Sequence, residues 1–211
     1  MKAVLHGATG FIGSLLLDLL KQDESFNEIT ILSRKKLVLP DKFKVIPTDS
    51  DQSQLSDLDV AFCALGTTMA KAGSKEAFYH VDHDLIVDFA SKAKEGGTKT
   101  FVLVSSVGAE ASSSNFYLKV KGETEEDLRK IGFQSLIILR PSMLLGQRTE
   151  FRFAELIGKG AMTALNPLML GGLNKYKGIQ GKTVAKAMLR LGKENVDGTH
   201  ILEWDKLQAF K

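Results

Sequence analysis

Short apolar runs alternate with amphipathic ones up to about residue 141, and that alternation limits the folds open to the chain. Ala3-Val4-Leu5, Ile29-Thr30-Ile31-Leu32, Phe43 to Ile46, Asp59 to Cys63, Phe101-Val102-Leu103-Val104 and Leu136-Ile137-Ile138-Leu139 read as six strands. The first helix falls at Phe11 to Lys21, with Leu15, Leu16, Leu19 and Leu20 at helical spacing. A long helix is expected from about Lys75 to Lys94, with Phe78, Val81, Leu85 and Phe89 on one face and Gly96-Gly97 closing it. Another runs from Phe116 to Lys130 and ends near Gly132. Strands without polar alternation must be covered on both faces. Alternating strands and helices give a parallel sheet between helix layers, wound by right-handed crossovers. The expected fold is therefore α/β, a doubly wound parallel sheet over residues 1 to about 141.

The rest is less regular. Gly158, Gly160, Gly171, Gly172, Gly178 and Gly181 divide it into short pieces, and Thr183 to Leu191 is its clearest helix. We expect one domain over 1–211, in which 142–211 adds a small irregular lobe on the substrate side, over the carboxyl edge of the strands. A chain of 211 residues buries one good core but is short for two. Its 28 basic residues are nearly matched by 25 acidic ones and are spread along the chain, which argues against a nucleic-acid partner. The single cysteine, Cys63, excludes an internal disulfide framework and suggests a reducing compartment. No apolar run approaches the roughly 18–20 residues of a membrane span, and the amino terminus lacks the apolar stretch of a signal peptide. These features together lead us to expect a cytoplasmic protein without a membrane partner.

Between the first strand and the first helix stands Gly7-Ala8-Thr9-Gly10-Phe11-Ile12-Gly13. In such a turn one glycine permits the tight bend, one lets the backbone approach a pyrophosphate and one lets the helix pack close to the sheet. The exposed amides of the helix then hold the anion. Three glycines can also be plain loop punctuation; the position between a strand and a helix favours a dinucleotide. About 20 residues on, where an NAD site needs an acidic side chain for the ribose, the sequence reads Leu32-Ser33-Arg34-Lys35-Lys36. With no carboxylate there, and a guanidinium suited to phosphate, NADP(H) is expected over NAD(H), with Ser33 and Arg34 on the 2′-phosphate. The competing reading is a solvated basic loop.

The fifth strand leads into Ser105-Ser106-Val107-Gly108, and Tyr117 and Lys121 come next, one helical turn apart. A free phenol titrates near pH 10, and a neighbouring ammonium stabilises its phenolate. Tyr117 can then give a proton to a substrate oxygen or take one, while a serine hydroxyl polarises a carbonyl. Taken alone, a tyrosine and a lysine four apart are an ordinary helix-surface pair.

With these pieces in order, the chain resembles a short-chain dehydrogenase/reductase of the extended or atypical type, a Rossmann fold, over nearly its whole length. The matching segments are GATGFIG at 7–13, LSRK at 32–35, CALGTT at 63–68, VDHD at 81–84, VLVSSVGA at 102–109, YLKVKGE at 117–123 and LRPSMLLG at 139–146. CALGTT, AGSKEAF and NFYLKVKGE resemble the Tat-interacting-protein-like oxidoreductase branch, which binds NADPH. The resemblance implies a catalytic set of Ser106, Tyr117 and Lys121, with Ser105 the weaker candidate serine, and Lys121 holding the nicotinamide ribose. It implies cofactor contacts from Gly7, Thr9, Gly10, Phe11, Ile12, Gly13, Ser33, Arg34 and Lys35. Asp49 would lie near the adenine, and Cys63, Ala64, Leu65, Gly66 and Thr67 along the ribose and pyrophosphate. Tyr117, Lys121, Pro141, Ser142 and Met143 would border the nicotinamide. Asp82 stands where extended relatives often carry asparagine. The chain is also shorter than sugar-nucleotide epimerases, which argues against a bulky nucleotide-sugar substrate.

Several residues invite other roles. His80 and His83 flank Asp82 at a spacing too sparse for a metal site and read as polar helix surface. Cys63 reads as a small buried hydrophobe, His6 as a strand-end residue beside the cofactor, and Trp204 and Phe210 as anchors of the tail. The expected activity is an NADPH-dependent reductase or dehydrogenase acting on a small carbonyl or alcohol. The alternative is an NADP(H)-binding regulatory protein without strong turnover, and epimerase chemistry is a third reading. A homodimer is an expectation from the family alone.

Overall fold

The computed structural model describes residues 1–48, 55–146, 174, 176–194 and 196–211. Its first strand, β1 (Lys2–His6), leads into α1 (Phe11–Gln22), then β2 (Glu28–Leu32), β3 (Phe43–Ile46) and β4 (Val60–Cys63). Next come the short α2 (Met69–Ala72) and α3 (Lys75–Tyr79), a π-helical segment (His80–Asp84) and α4 (Leu85–Glu95). After these lie β5 (Thr100–Val104), α5 (Phe116–Ile131), β6 (Ser135–Leu139), the two-residue β7 (Leu144–Leu145) and β8 (Ile179–Gln180), α6 (Gly181–Lys193), β9 (Gly198–Leu202) and α7 (Trp204–Leu207). Seven strands form one parallel sheet in the order β3-β2-β1-β4-β5-β6-β9, while β7 and β8 pair separately. The expected doubly wound α/β sheet is observed.

Two apolar layers hold it. On one face α1 and α6 pack together over Ala3, Leu5, Ile31, Phe62 and Ile137, with Leu16, Leu20, Val184 and Met188 fully buried. On the other, α4 and α5 cover Val4, Ala61, Phe101 and Ile138 through Ile86, Phe89 and Leu128. Each such fully buried aliphatic or aromatic side chain contributes about 1.5–3 kcal/mol, so both layers are essential to the fold.

The strand order reverses direction between β1 and β4, and there the carboxyl ends of neighbouring strands diverge and open a crevice. Among the described residues no helix is long and apolar enough to cross a membrane.

Two expectations need correction. The sheet does not stop near residue 141, because β9 joins it parallel to β6, from Ser135 opposite Gly198 to Leu139 opposite Leu202. The helix before it, α6, completes that crossover on the sheet face rather than lying over the strand ends. Nor is the segment from Lys75 onward one regular helix, since the five residues His80–Asp84 are π-helical. A π turn inserts a residue and rotates the helix beyond it. Val81 and Leu85, expected on the apolar face, are only half-buried, and Asp82, His83 and Ile86 are turned inward instead.

Candidate functional site

The crevice begins with the glycine turn. Gly7 leaves β1 at φ +93°, a conformation that side chains resist, and a Cβ there would stand 2.6 Å from the Ala64 carbonyl carbon. A Cβ at Gly13 would overlap the Gly7 carbonyl oxygen, so the first turn of α1 lies against the loop backbone. The Gly10 amide closes the turn onto Gly7 O at 2.9 Å. Gly10 caps the helix with extended backbone and no side-chain hydrogen bond, leaving the positive end of the helix dipole open toward the crevice. A glycine cradle at an uncapped helix start has the shape and charge for a dinucleotide pyrophosphate, so the residues fit that group.

The remaining sequence-predicted residues fall around this cradle. Thr9 is exposed, whereas Ile12 is buried in the core and Phe11 packs its ring against Gly146 and Gly181, so only their backbone faces the turn. Ser33 closes a local turn with Lys35, donating to its carbonyl at 2.9 Å and accepting from its amide at 3.0 Å. Arg34 and Lys35 are exposed just past β2. Arg34 also acts on His6, which ends β1: burial first, then this guanidinium, hold the imidazole down to about 4. His6 meets Phe89 edge-on at 5.2 Å, and its Nδ1 has no hydrogen-bond partner among the described residues. Asp49 lies outside the described residues.

Cys63 is wholly buried, and burial pushes its thiol up to about 12, so only its backbone belongs to the site. Ala64, Leu65, Gly66 and Thr67 are half-buried along the same edge, with Ala64 N bonded to His6 O at 2.9 Å.

The two serines after β5 are separated by their partners. Ser105 Oγ donates to Glu125 Oε1 at 2.6 Å. Glu125 is fully buried and also accepts from Arg140 Nε at 3.0 Å and Nη2 at 2.6 Å, so Ser105 belongs to a structural brace between β5, α5 and the end of β6. Ser106 is outside that brace; among the described residues its hydroxyl donates to Val107 O, at 3.3 Å, and the residue is 1% exposed.

Gly122 seats α5 tightly on the backbone of Glu110 and Ala111, placing Tyr117 in the first turn of α5 and Lys121 in the second. Tyr117 is half-buried against the Phe78 ring, at 5.7 Å. Lys121 Nζ stands 2.8 Å from Asp82 Oδ1, with both side chains buried. Asp82 Oδ2 also accepts the Thr67 amide at 2.6 Å.

The sequence pattern did not assign Asp82 this pairing; its one clue was a carboxylate where extended relatives carry asparagine. His83 is likewise not the polar surface residue expected. It is 9% exposed, with Nδ1 2.9 Å from Asp84 Oδ1 and Nε2 3.0 Å from Asp127 Oδ2. Among the described residues no group of three or more His, Cys, Asp or Glu is placed to hold a metal.

On the far side, Pro141 O accepts the Val107 amide at 3.0 Å, Ser142 Oγ donates to Lys177 O, and Met143 O accepts the Ile179 amide at 2.9 Å. Pro141 and Ser142 are buried and Met143 half-buried, so the Ser142 hydroxyl is turned toward the chain before β8.

A switch-point crevice with a glycine cradle defines a doubly wound, Rossmann-type fold. Solved structures agree at the level of fold. A UDP-N-acetylglucosamine 4-epimerase from Methanobrevibacter ruminantium superposes with TM-score 0.70 at 20% identity, over 96% of this chain and 76% of that one. MoeE5, solved with UDP-glucose and NAD, gives 0.72 at 13% identity, over 99% and 80%. The chain belongs to the HIM1 family, whose model matches residues 21–171.

Among curated relatives, the mitochondrial protein FMP52 of Candida albicans is 41% identical over 71% of this chain and 70% of its own length. The mitochondrial fmp52 of Aspergillus niger is 35% identical over 92% and 88%. These names overturn the cytoplasmic placement expected from the sequence, which rested on composition and the amino-terminal residues.

Proposed function

We propose that this protein is a nicotinamide-dependent oxidoreductase of the short-chain dehydrogenase/reductase type. In this reading it takes NADP(H) in preference to NAD(H), acts on a small carbonyl or alcohol, and works in mitochondria, where its relatives' names place them. The observation that carries the reading is Tyr117 and Lys121 on successive turns of α5 at the same strand edge as the glycine cradle. MoeE5, which shares the fold, was solved with NAD. The likeness of residues 63–68 and 115–123 to the Tat-interacting-protein-like branch supports the phosphorylated form, as does the exposed Arg34.

The bound carrier supplies or accepts the hydride; the chain supplies the rest. The free first-turn amides of α1, from Phe11 to Gly13, and the dipole of that helix would hold the pyrophosphate, and Arg34 would meet the 2′-phosphate. The Ser106 hydroxyl orients the substrate oxygen, the Tyr117 phenol gives or takes its proton, and the Lys121 ammonium holds the nicotinamide ribose and stabilises the phenolate. Replacing Tyr117 by phenylalanine is expected to abolish turnover of a responsive aldehyde, ketone or quinone while leaving nucleotide affinity within about twofold. Near-normal turnover would remove Tyr117 from the chemistry.

A second reading, an NADP(H)-binding regulatory protein without strong turnover, draws on the burial of Ser106 at 1% exposure. Tight binding with no substrate across such a panel would favour it.

A further inference from the structure

Asp82 joins three parts of the site. Its Oδ2 accepts the Thr67 amide from the loop after β4, its carbonyl accepts Thr124 Oγ1 of α5 at 2.9 Å, and its Oδ1 stands 2.8 Å from Lys121 Nζ. The residue is 1% exposed and lies in the π-helical segment that turns it inward. Its neighbour His83 ties the same segment to α5 through Asp127. Asp82 is therefore fixed from both sides. Its Oδ1 is not in hydrogen-bond geometry with Lys121, so the 2.8 Å approach is a contact of charges. Burying an ammonium alone is costly, and a carboxylate at that distance both relieves the cost and cancels the field of the cation a few ångströms away.

We infer that Asp82 balances the charge of Lys121 and so sets how the site discriminates oxidised from reduced nicotinamide. This rests on the nicotinamide reading above, with Lys121 at the nicotinamide ribose. The oxidised ring carries a positive charge that the reduced ring lacks. Beside an uncompensated ammonium the oxidised form is repelled, whereas beside the Asp82–Lys121 pair the two forms are bound on similar terms. An asparagine at this position would hold the Thr67 amide equally well but remove the negative charge that faces the Lys121 ammonium. Asp82 is thus a positioning residue that acts through Lys121.

The test is binding rather than turnover, by calorimetric titration of NADP+ and NADPH into the wild-type protein and its variants. Asp82→Asn keeps the shape and the acceptor for Thr67, and should raise the ratio of oxidised to reduced dissociation constants about three- to tenfold. Lys121→Met should move that ratio the other way, and it carries the test if Asp82→Asn does not fold. The double variant should return the ratio to within about twofold of wild type. A purely structural role would weaken both forms alike, so an unmoved ratio in the single variants overturns the inference and leaves the nucleotide reading standing. A wild-type protein that takes up neither nucleotide overturns both.

Discussion

Replacing Gly13 by alanine places a methyl group where the neighbouring atoms are backbone. The new Cβ would overlap the Gly7 carbonyl oxygen and stand 2.7 Å from its carbon and 3.1 Å from Ala8 Cα. The nearest atoms are backbone and cannot swing aside, so α1 must withdraw from the loop by about 1.5 Å to reach ordinary contact distance. Overpacking of this kind costs about 1–3 kcal/mol, and the rigid neighbours favour the upper end. Alanine returns about 1 kcal/mol of helix propensity, leaving a net loss of about 2 kcal/mol. For a domain of this size that lowers the melting temperature by about 4–8 °C.

The same withdrawal pulls the first amides of α1 from the anion and should weaken nucleotide binding about tenfold. The control is Gly73→Ala. Among the described residues nothing lies within 4 Å of a Cβ there, but φ is +80°, so strain of about 1–2 kcal/mol is the expected effect and nucleotide affinity stays constant. Melting followed by circular dichroism and calorimetric titration measure both quantities. A Gly13→Ala protein that melts within about 1 °C of wild type would refute the close approach of helix and loop.

Two further outcomes concern buried groups. His6 is held down to about 4 in the folded protein by burial and Arg34, and titrates near 6.5 when unfolded. Between those values the unfolded chain binds a proton that the folded one does not. Stability therefore rises as pH increases from about 4 to 6.5, is complete above that, and spans about 3 kcal/mol. Urea unfolding at acid and neutral pH should show this rise, and His6→Leu should flatten it; an equal rise in the variant would contradict the assignment. Cys63, wholly buried with its thiol pushed up to about 12, should resist a thiol reagent at pH 8 until the protein unfolds. Stoichiometric labelling of the native protein would contradict its burial.

The parts of the fold that were legible are those in which one physical cause acts alone. Strands β1, β5 and β6 contain continuous apolar runs because both faces are covered, and the sequence shows this directly. The glycine turn was legible because close backbone approach excludes side chains. β9 was missed because Gly198-Thr199-His200-Ile201-Leu202 is an edge strand buried fully only at Leu202, so it carries little apolar pattern. The π turn was missed for the opposite reason. It buries Asp82 and His83, and apolar periodicity does not register a polar residue whose burial is stabilised by distant partners. Ser106 was preferred to Ser105 on the family resemblance alone; the partner that engages Ser105, Glu125, lies twenty residues away in sequence and leaves no mark in the pattern.

On this reading the cradle at Gly7–Gly13 and the cation at Arg34 together hold a phosphorylated nicotinamide dinucleotide. Titrating NADPH and NADH separately into the purified protein in a calorimeter decides the point. The expected result is saturable binding of one nucleotide per chain, tighter for NADPH, with Arg34→Ala erasing the preference; no saturable heat from either nucleotide would contradict it.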